Sequence, residues 1–173
     1  MARTLVAFLT AGLVLIVSIK LLWKQPVIQV SFDSQSCYLK STQFDLKWRH
    51  SVEKQWWIES YQIQDNQLLL TDTYLQTFGA GTPSTEALSQ DTKPKYPGYV
   101  HYQIDTTLPY LNWMISSNIE ATIINQGREL AIYKWVSDYT NIHIVPKYIP
   151  AWQLWFKEPC HEYYSRAVAA TRP

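Results

Sequence analysis

The chain has 173 residues, of which 47% are hydrophobic and 17% are charged, and its formal net charge at pH 7 is +1. This length accommodates one domain of ordinary size and a short appendage. Arg3, Lys20 and Lys24 lie at the N-terminus, so residues 25–173 carry 12 basic and 14 acidic side chains. A nearly neutral domain without basic runs lacks the electrostatic footprint of nucleic-acid-binding proteins, which excludes nucleic acid as an expected partner.

The chain begins with an apolar segment, residues 4–23, in which Lys20 is the only charged residue. A membrane-spanning helix needs about 20 mostly apolar residues. The segment meets this length if Lys20 extends its ammonium group to the lipid head groups. Trp23 is placed for the aromatic belt at the interface, and Pro26 is expected to end the helix. The sequence therefore predicts an N-terminal transmembrane anchor over residues 1–24.

A cleaved signal peptide is the competing interpretation of this segment, but it requires small residues at a cleavage site. The apolar run is followed by Leu-Leu-Trp-Lys-Gln-Pro, so a retained anchor is favoured. Charge does not decide the orientation, because Arg3 lies on one flank and Lys20 and Lys24 on the other. We expect the N-terminus inside and the domain translocated. Ala7 and Ala11 form a small-xxx-small pair at which another helix can approach closely.

Two cysteines, Cys37 and Cys160, lie near the two ends of the domain predicted over residues 25–173. In a domain outside the cytoplasm they can form a disulfide that ties the ends together. Two unpaired thiols are the other interpretation, and the sequence leaves both open. The spacing is not Cys-x-x-Cys, so it does not indicate a structural zinc site.

About ten short segments carry strand signals and are separated by turn residues. Residues 44–49 alternate apolar and polar side chains, and residues 57–63 and 68–75 flank the turn Asp65-Asn66 as a hairpin. The other segments are 27–32, 99–104, 111–115, 119–124, 130–136, 142–145 and 152–156. This pattern predicts an all-β domain, a β-sandwich or partly open barrel of about nine short strands, preceded by the transmembrane helix. Residues 162–173 are either a short helix or a frayed tail.

Aromatic residues and one irregular stretch stand out within the predicted domain. The chain has 8 Trp and 12 Tyr. These rings suit the core of a β-domain, and they are also enriched where proteins contact partners. Residues 79–98 contain three of the domain's four glycines and three prolines. Long loops of this kind in compact domains are often functional.

The densest polar cluster is Arg-His-Ser-Val-Glu-Lys at residues 49–54. A catalytic interpretation makes His50 a base and Ser51 a nucleophile, but neighbours in a strand point to opposite faces and no Gly-x-Ser-x-Gly turn is present. A metal interpretation combines the histidines with Glu53 and Glu59, without the close spacing that such sites show. We therefore expect no enzyme, no metal and no cofactor, with His50 and Glu53 pairing with backbone groups or neighbours.

The segment Gly79-Ala80-Gly81 lacks the lysine and the following helix of a phosphate-binding loop. Its glycines indicate a backbone with positive φ or a close approach by another group, either a ligand or a partner protein.

Three segments taken together resemble a known family. They are Trp48-Arg-His-Ser-Val-Glu-Lys54, Trp57-Ile-Glu-Ser-Tyr61 and Phe78-Gly-Ala-Gly-Thr-Pro83. Their combination and spacing, from about residue 44 to residue 84, resemble the bacterial domain of unknown function 1850. The residues that match are His50, Ser51, Val52, Glu53, Lys54, Glu59, Gly79, Ala80 and Gly81.

The resemblance implies a cellular context and no catalytic residue. Members of the family are small exported or membrane-anchored proteins, often encoded beside TRAP transporters of the TAXI type. These transporters import organic acids with an extracytoplasmic binding protein and a sodium-coupled membrane subunit. The resemblance implies an accessory subunit that contacts either component. It would be a single-pass protein of the bacterial inner membrane, with a cytoplasmic N-terminus and a periplasmic domain.

A periplasmic domain that binds or senses a small organic acid is the alternative function. The anion site would then be formed by Arg49, His50 and Lys54 beside the segment Gly79–Gly81.

Overall fold

The computed structural model describes residues 2–79, 81–82 and 86–170, except for the side chains of residues 2–7 and of Ala170. Two α-helices and ten strands form in this part of the chain. They are α1 (Ala2–Leu22), β1 (Lys24–Phe32), β2 (Gln35–Leu39), β3 (Gln43–Arg49), β4 (Trp56–Gln64), β5 (Gln67–Leu75), β6 (Val100–Leu108), β7 (Leu111–Met114), β8 (Thr122–Asn125), β9 (Arg128–Ala131), β10 (Asn141–Pro150) and α2 (Cys160–Ala170).

The strands form two antiparallel sheets that enclose the main apolar core. One sheet has four strands in the order β2-β1-β10-β7, and the other has six in the order β6-β5-β4-β3-β8-β9. Alternate residues of the strands, such as Val30 in β1, Leu46 in β3 and Ile144 in β10, are buried between the sheets. Of the predicted β-sandwich or partly open barrel of about nine strands, the structure confirms a mostly β, open sandwich-like fold, with ten strands in the described residues.

One predicted strand, 152–156, is wrong, and another, 130–136, extends too far. Trp152, Trp155 and Phe156 follow the i, i+3, i+4 pattern of a helix, and Ala151–Phe156 forms a 3-10 helix. The predicted strand 130–136 stops at Ala131, because Ile132–Lys134 forms a second 3-10 helix.

Other boundaries also differ from the prediction. The strand predicted over 119–124 begins only at Thr122, after Glu120 adopts a left-handed conformation with φ 49°. Strand β2 was missed, since its Gln35-Ser36 start carries no apolar signal. Residues 162–173 were predicted as a short helix or a frayed tail, and helix α2 covers them as far as Ala170. Residues 171–173 lie outside the described part.

Helix α1 leads into the sandwich with only Trp23 between it and β1. The Trp23 N–H donates to the Ile19 carbonyl at 3.0 Å, so the helix ends before Pro26 rather than at it. The Ala151 N–H donates to the Trp23 carbonyl at 3.0 Å, which places the 3-10 helix Ala151–Phe156 at the foot of α1. Among the residues whose side chains are described, which in α1 begin at Phe8, no helix has the length and apolar character needed to cross a membrane.

A disulfide joins Cys37 in β2 to Cys160 at the start of α2. Both residues are buried, and their Cα atoms are 4.8 Å apart. The Tyr38 N–H also donates to the Glu158 carbonyl at 3.0 Å, beside the bridge. Helix α2 is therefore attached to the edge of the four-stranded sheet by a covalent bond as well as by the backbone.

The connection between β5 and β6 returns across the six-stranded sheet. Its residue Leu88 pairs with Tyr102 of β6, and the Ser89 N–H donates to the His101 carbonyl at 2.8 Å. Lys95 and Tyr96 then reach Asp45 in β3, so this connection covers the outer face of the sheet. The stretch predicted to be irregular, 79–98, contains this covering segment.

Candidate functional site

The polar cluster at residues 49–54 forms the turn between β3 and β4. The His50 N–H donates to the Gln55 carbonyl at 2.8 Å, and the Lys54 N–H donates to the His50 carbonyl at 2.9 Å. Lys54 reverses the chain with a φ of 58°. Trp56 then begins β4. The turn is therefore compact, and it presents Ser51 to solvent.

The fold brings this turn against the glycine segment that follows β5. A Cβ atom at Gly79 would collide with the carboxylate of Glu53, and one at Gly81, where φ is +84°, would lie 3.4 Å from the Trp57 ring. The Thr82 hydroxyl donates to the Gly79 carbonyl at 2.7 Å and caps the segment. The two glycines are thus explained by close approach and by positive φ.

We call this arrangement the motif corner; it comprises residues 50–54, Trp57, Gly79 and Gly81. Ala80, which the sequence placed with these residues, lies outside the described part of the chain.

His50 and Arg49 make contacts that hold the turn in shape. The His50 ring stacks on Trp57, with centroids 5.2 Å apart, and its Nδ1 accepts the Glu53 N–H at 3.3 Å. The Arg49 Nε donates to the Lys54 carbonyl at 3.1 Å, and its Nη1 lies 3.3 Å from Glu120 Oε1. Both side chains thus contact backbone groups and neighbouring side chains.

The contact between Glu53 and Gly79 predicts a strong coupling between the two positions. We expect Gly79→Ala to lower the free energy of unfolding by about 1–3 kcal/mol, the usual cost of overpacking, because the new methyl group displaces the Glu53 carboxylate. In a Glu53→Ala background the same substitution should cost much less. Chemical denaturation of the four proteins of this double-mutant cycle measures the coupling. Equal costs in both backgrounds would contradict the contact.

Glu59 lies on β4 two residues after Trp57 but has a partner of its own. It stands opposite Leu46 of β3, and its Oε2 accepts the Tyr61 hydroxyl at 2.5 Å. Burial raises the pKa of Glu59, and the Tyr61 hydrogen bond opposes this shift. Burial and the adjacent Glu59 charge also raise the pKa of Tyr61. Glu59 is therefore a carboxyl group in the wall of the core, separate in its contacts from the motif corner.

A pH dependence of stability follows from the position of Glu59. Because its pKa is raised in the folded chain, the folded chain holds this proton more tightly than the unfolded chain does. The free energy of unfolding should fall as pH rises from the ordinary carboxyl pKa to the raised one, and then level off. In Glu59→Gln, whose amide oxygen still accepts from Tyr61, this slope should be absent.

Unfolding curves at several pH values measure that slope, and the exposed Glu162→Gln provides the matched control. If Glu59→Gln and the wild type had parallel pH profiles, the carboxyl group would not titrate as described.

A second polar cluster, which the sequence did not predict, lies on the outer face of the six-stranded sheet. Asp45 is only 4% exposed. It accepts hydrogen bonds from Ser60 Oγ at 2.7 Å, Lys95 Nζ at 2.7 Å and the Tyr96 hydroxyl at 2.5 Å. Burial and the Asp45 hydrogen bond raise the pKa of Tyr96. We call these four residues the Asp45 cluster.

Further polar side chains continue from the Asp45 cluster along the sheet. His101 Nε2 lies 2.7 Å from Asp72 Oδ1, and the His101 ring stacks on Tyr74 at a centroid distance of 4.3 Å. Burial, reinforced by the Asp72 and Asp45 charges, raises the pKa of Tyr74 to about 12. An open groove of about 760 Å³ lies beside these residues. Among the residues described, no three His, Cys, Asp or Glu side chains are grouped so that they could hold a metal ion.

The predicted helix-packing pair lies on α1, away from both clusters. Ala11 is exposed on the helix surface. The side chain of Ala7 is outside the described part, so the pair stays a prediction.

Comparison with known proteins supports the resemblance found in the motifs. A family model, described as domain of unknown function (DUF1850), matches residues 44–132. The matched range includes the motif corner, the Asp45 cluster and nearly the whole six-stranded sheet. No curated protein and no solved structure shows a significant match to the chain. The chain belongs to the family of the domain of unknown function 1850.

Proposed function

We propose that this chain is a membrane-anchored accessory subunit of a TAXI-type TRAP transporter. Its β-domain would lie outside the cytoplasm and contact the membrane subunit or the extracytoplasmic binding protein during organic-acid uptake. The observation that carries this proposal is helix α1, whose described apolar side chains from Phe8 to Ile19 are exposed.

The side chains of α1 from Phe8 to Lys20 are exposed on every side of the helix, and Phe8 is 77% exposed. Leu21, at the end next to the β-domain, is half-buried. A helix that is apolar all round is stable only where apolar material surrounds it. The segment Thr4–Trp23, which includes residues 4–7, has the length of a bilayer core. A lipid bilayer, with another membrane protein beside the helix, supplies such surroundings.

The disulfide supports placement of the β-domain outside the cytoplasm. Cys37 and Cys160 are joined within the domain, and such bonds persist in oxidising compartments. Because only Trp23 separates α1 from β1, the domain would be held close to the membrane surface.

The motif corner supplies the contact surface of this proposal. Val52, which is 80% exposed, adjoins Glu53, and Phe78, which is 63% exposed, adjoins Gly79. Two large apolar side chains, one in the motif corner and one directly beside it, are therefore exposed where Glu53 approaches Gly79. Exposed apolar groups on a preformed surface are typical of protein-binding sites.

Co-purification of the transporter through a tag on this chain tests the proposal. We expect both transporter components to be recovered with the full chain, and recovery to fall several-fold after deletion of residues 1–24 or in Val52→Asp/Phe78→Asp. The control is Tyr110→Asp, which changes an exposed ring between β6 and β7 and should leave recovery of the transporter components unchanged. Failure of the wild-type chain to recover either component would refute the accessory role.

Calorimetric titration of the full chain with candidate organic acids separates the alternative function. The accessory role predicts no saturable heat of binding, since Arg49 is already paired with Glu120. Saturable binding that disappears in Arg49→Ala would instead favour the small-anion site.

A further inference from the structure

The 3-10 helix Ala151–Phe156 presents aromatic rings to solvent on one side. Trp152 is exposed, Trp155 is 74% exposed and Phe156 is 80% exposed. The opposite side of this 3-10 helix packs on the domain, because Leu154 contacts a small buried cluster that contains Val27 and Ile149. The exposed rings are therefore held in place by the sandwich rather than carried on a loose loop.

These rings are positioned at the end of helix α1. The Ala151 N–H donates to the Trp23 carbonyl at 3.0 Å, and Pro150 pairs with Lys24 across the first residues of β1. Trp23 is itself exposed at the junction. Four exposed aromatic side chains thus lie on the two segments, Trp23 and Ala151–Phe156, that meet where the helix leaves the β-domain.

The charges around this point are mainly basic. Lys20 lies in the last turn of α1 and Lys24 begins β1. The exposed Lys147 lies on β10 opposite Val27. Lys157 follows the 3-10 helix, with its Nζ 5.3 Å from the centre of the Tyr38 ring. The nearby Glu158 is paired with Arg166 at 2.8 Å. Basic side chains beside exposed aromatic rings suit a surface of anionic lipid head groups.

We propose that Trp23, Trp152, Trp155 and Phe156 form an aromatic platform that lies in the head-group region of the bilayer and holds the β-domain against the membrane. The occupant of this surface is lipid, and the inference rests on the proposed membrane anchor. Tryptophan is favoured at the membrane interface because its ring is apolar while its N–H remains hydrated. With the helix and the platform both engaged, the domain has a defined orientation relative to the membrane.

Tryptophan quenching by lipid tests the platform. The full chain is reconstituted in nanodiscs of phosphatidylcholine and phosphatidylglycerol, with and without a nitroxide on the choline head group. If Trp23, Trp152 and Trp155 all lie at the interface, each of the single Trp→Phe variants should lose about a third of the quenched emission. The control is Trp48→Phe, whose ring packs against Trp57 and Trp113, and it should leave the quenched emission unchanged.

The possible outcomes separate the platform from the anchor. If Trp23→Phe lowers the quenched emission but Trp152→Phe and Trp155→Phe do not, the platform is refuted and the anchor stands. If none of the three variants lowers it, the anchor is refuted as well. Quenching by aqueous iodide then shows where a ring lies if the lipid nitroxide does not quench it. Such a ring is in water if iodide quenches it, and it is covered by protein if iodide does not. Either result overturns the lipid platform.

Discussion

Replacing both Cys37 and Cys160 with alanine is expected to lower the free energy of unfolding by about 2–5 kcal/mol, the usual cost of removing a native disulfide. The bond joins residues 123 positions apart, so it restricts most of the unfolded β-domain and attaches α2 to the edge of the four-stranded sheet. Alanine removes the bond without burying a hydroxyl group at either position. Chemical denaturation of the full chain in detergent micelles, followed by tryptophan emission, measures the loss.

Reduction of the wild-type chain provides the control for this prediction. Treatment with a phosphine reductant should lower the unfolding midpoint of the wild type to about that of the alanine variant, and it should leave the variant unchanged. A wild-type midpoint that does not respond to complete reduction would show that the bond contributes no stability.

Substitution of Asp45 by alanine is expected to cost about 2–4 kcal/mol, because it removes a buried charged acceptor from three donors. The loss should be accompanied by faster hydrogen exchange in the connection over β3–β5, since Lys95 and Tyr96 hold it to the sheet through Asp45. Denaturation measures the energy, and amide exchange resolved by peptide locates the loosened segment.

The exposed Asp105→Asn on β6 is a matched control for Asp45→Ala. We expect it to change stability by no more than about 0.5 kcal/mol, as surface substitutions usually do. If Asp45→Ala lowered stability without raising exchange between residues 86 and 99, Asp45 would stabilise the sheet alone and would not hold the connection.

The sandwich could be predicted because its strands carry local patterns. In Phe44–Arg49 the side chains alternate between the core and the outer face, and that period depends only on neighbouring residues. The same argument fails for Trp152–Phe156, where the apolar residues fit a helical period. Strand β2 was missed for a related reason, since a short segment with a polar start has no period to detect.

The candidate site was predictable only in part. Family membership could be inferred because the motifs of the family are short and contiguous. The glycines at positions 79 and 81 indicated a close approach by another group. The Asp45 cluster had no such signal. Asp45 is one of the polar residues that alternate with apolar ones in β3, and this position predicts an exposed side chain. Its partner Lys95 lies 50 positions later, within an irregular stretch.

By itself, the sequence determined the apolar N-terminal segment, the all-β class and the family, because each depends on residues close together in the chain. Only the tertiary structure decided that Glu53 approaches Gly79, that Cys37 joins Cys160, and that Asp45 is buried. These features join residues of different strands and loops. Burial and pairing are properties of the folded surface that surrounds a residue, and long-range packing rather than local pattern creates that surface.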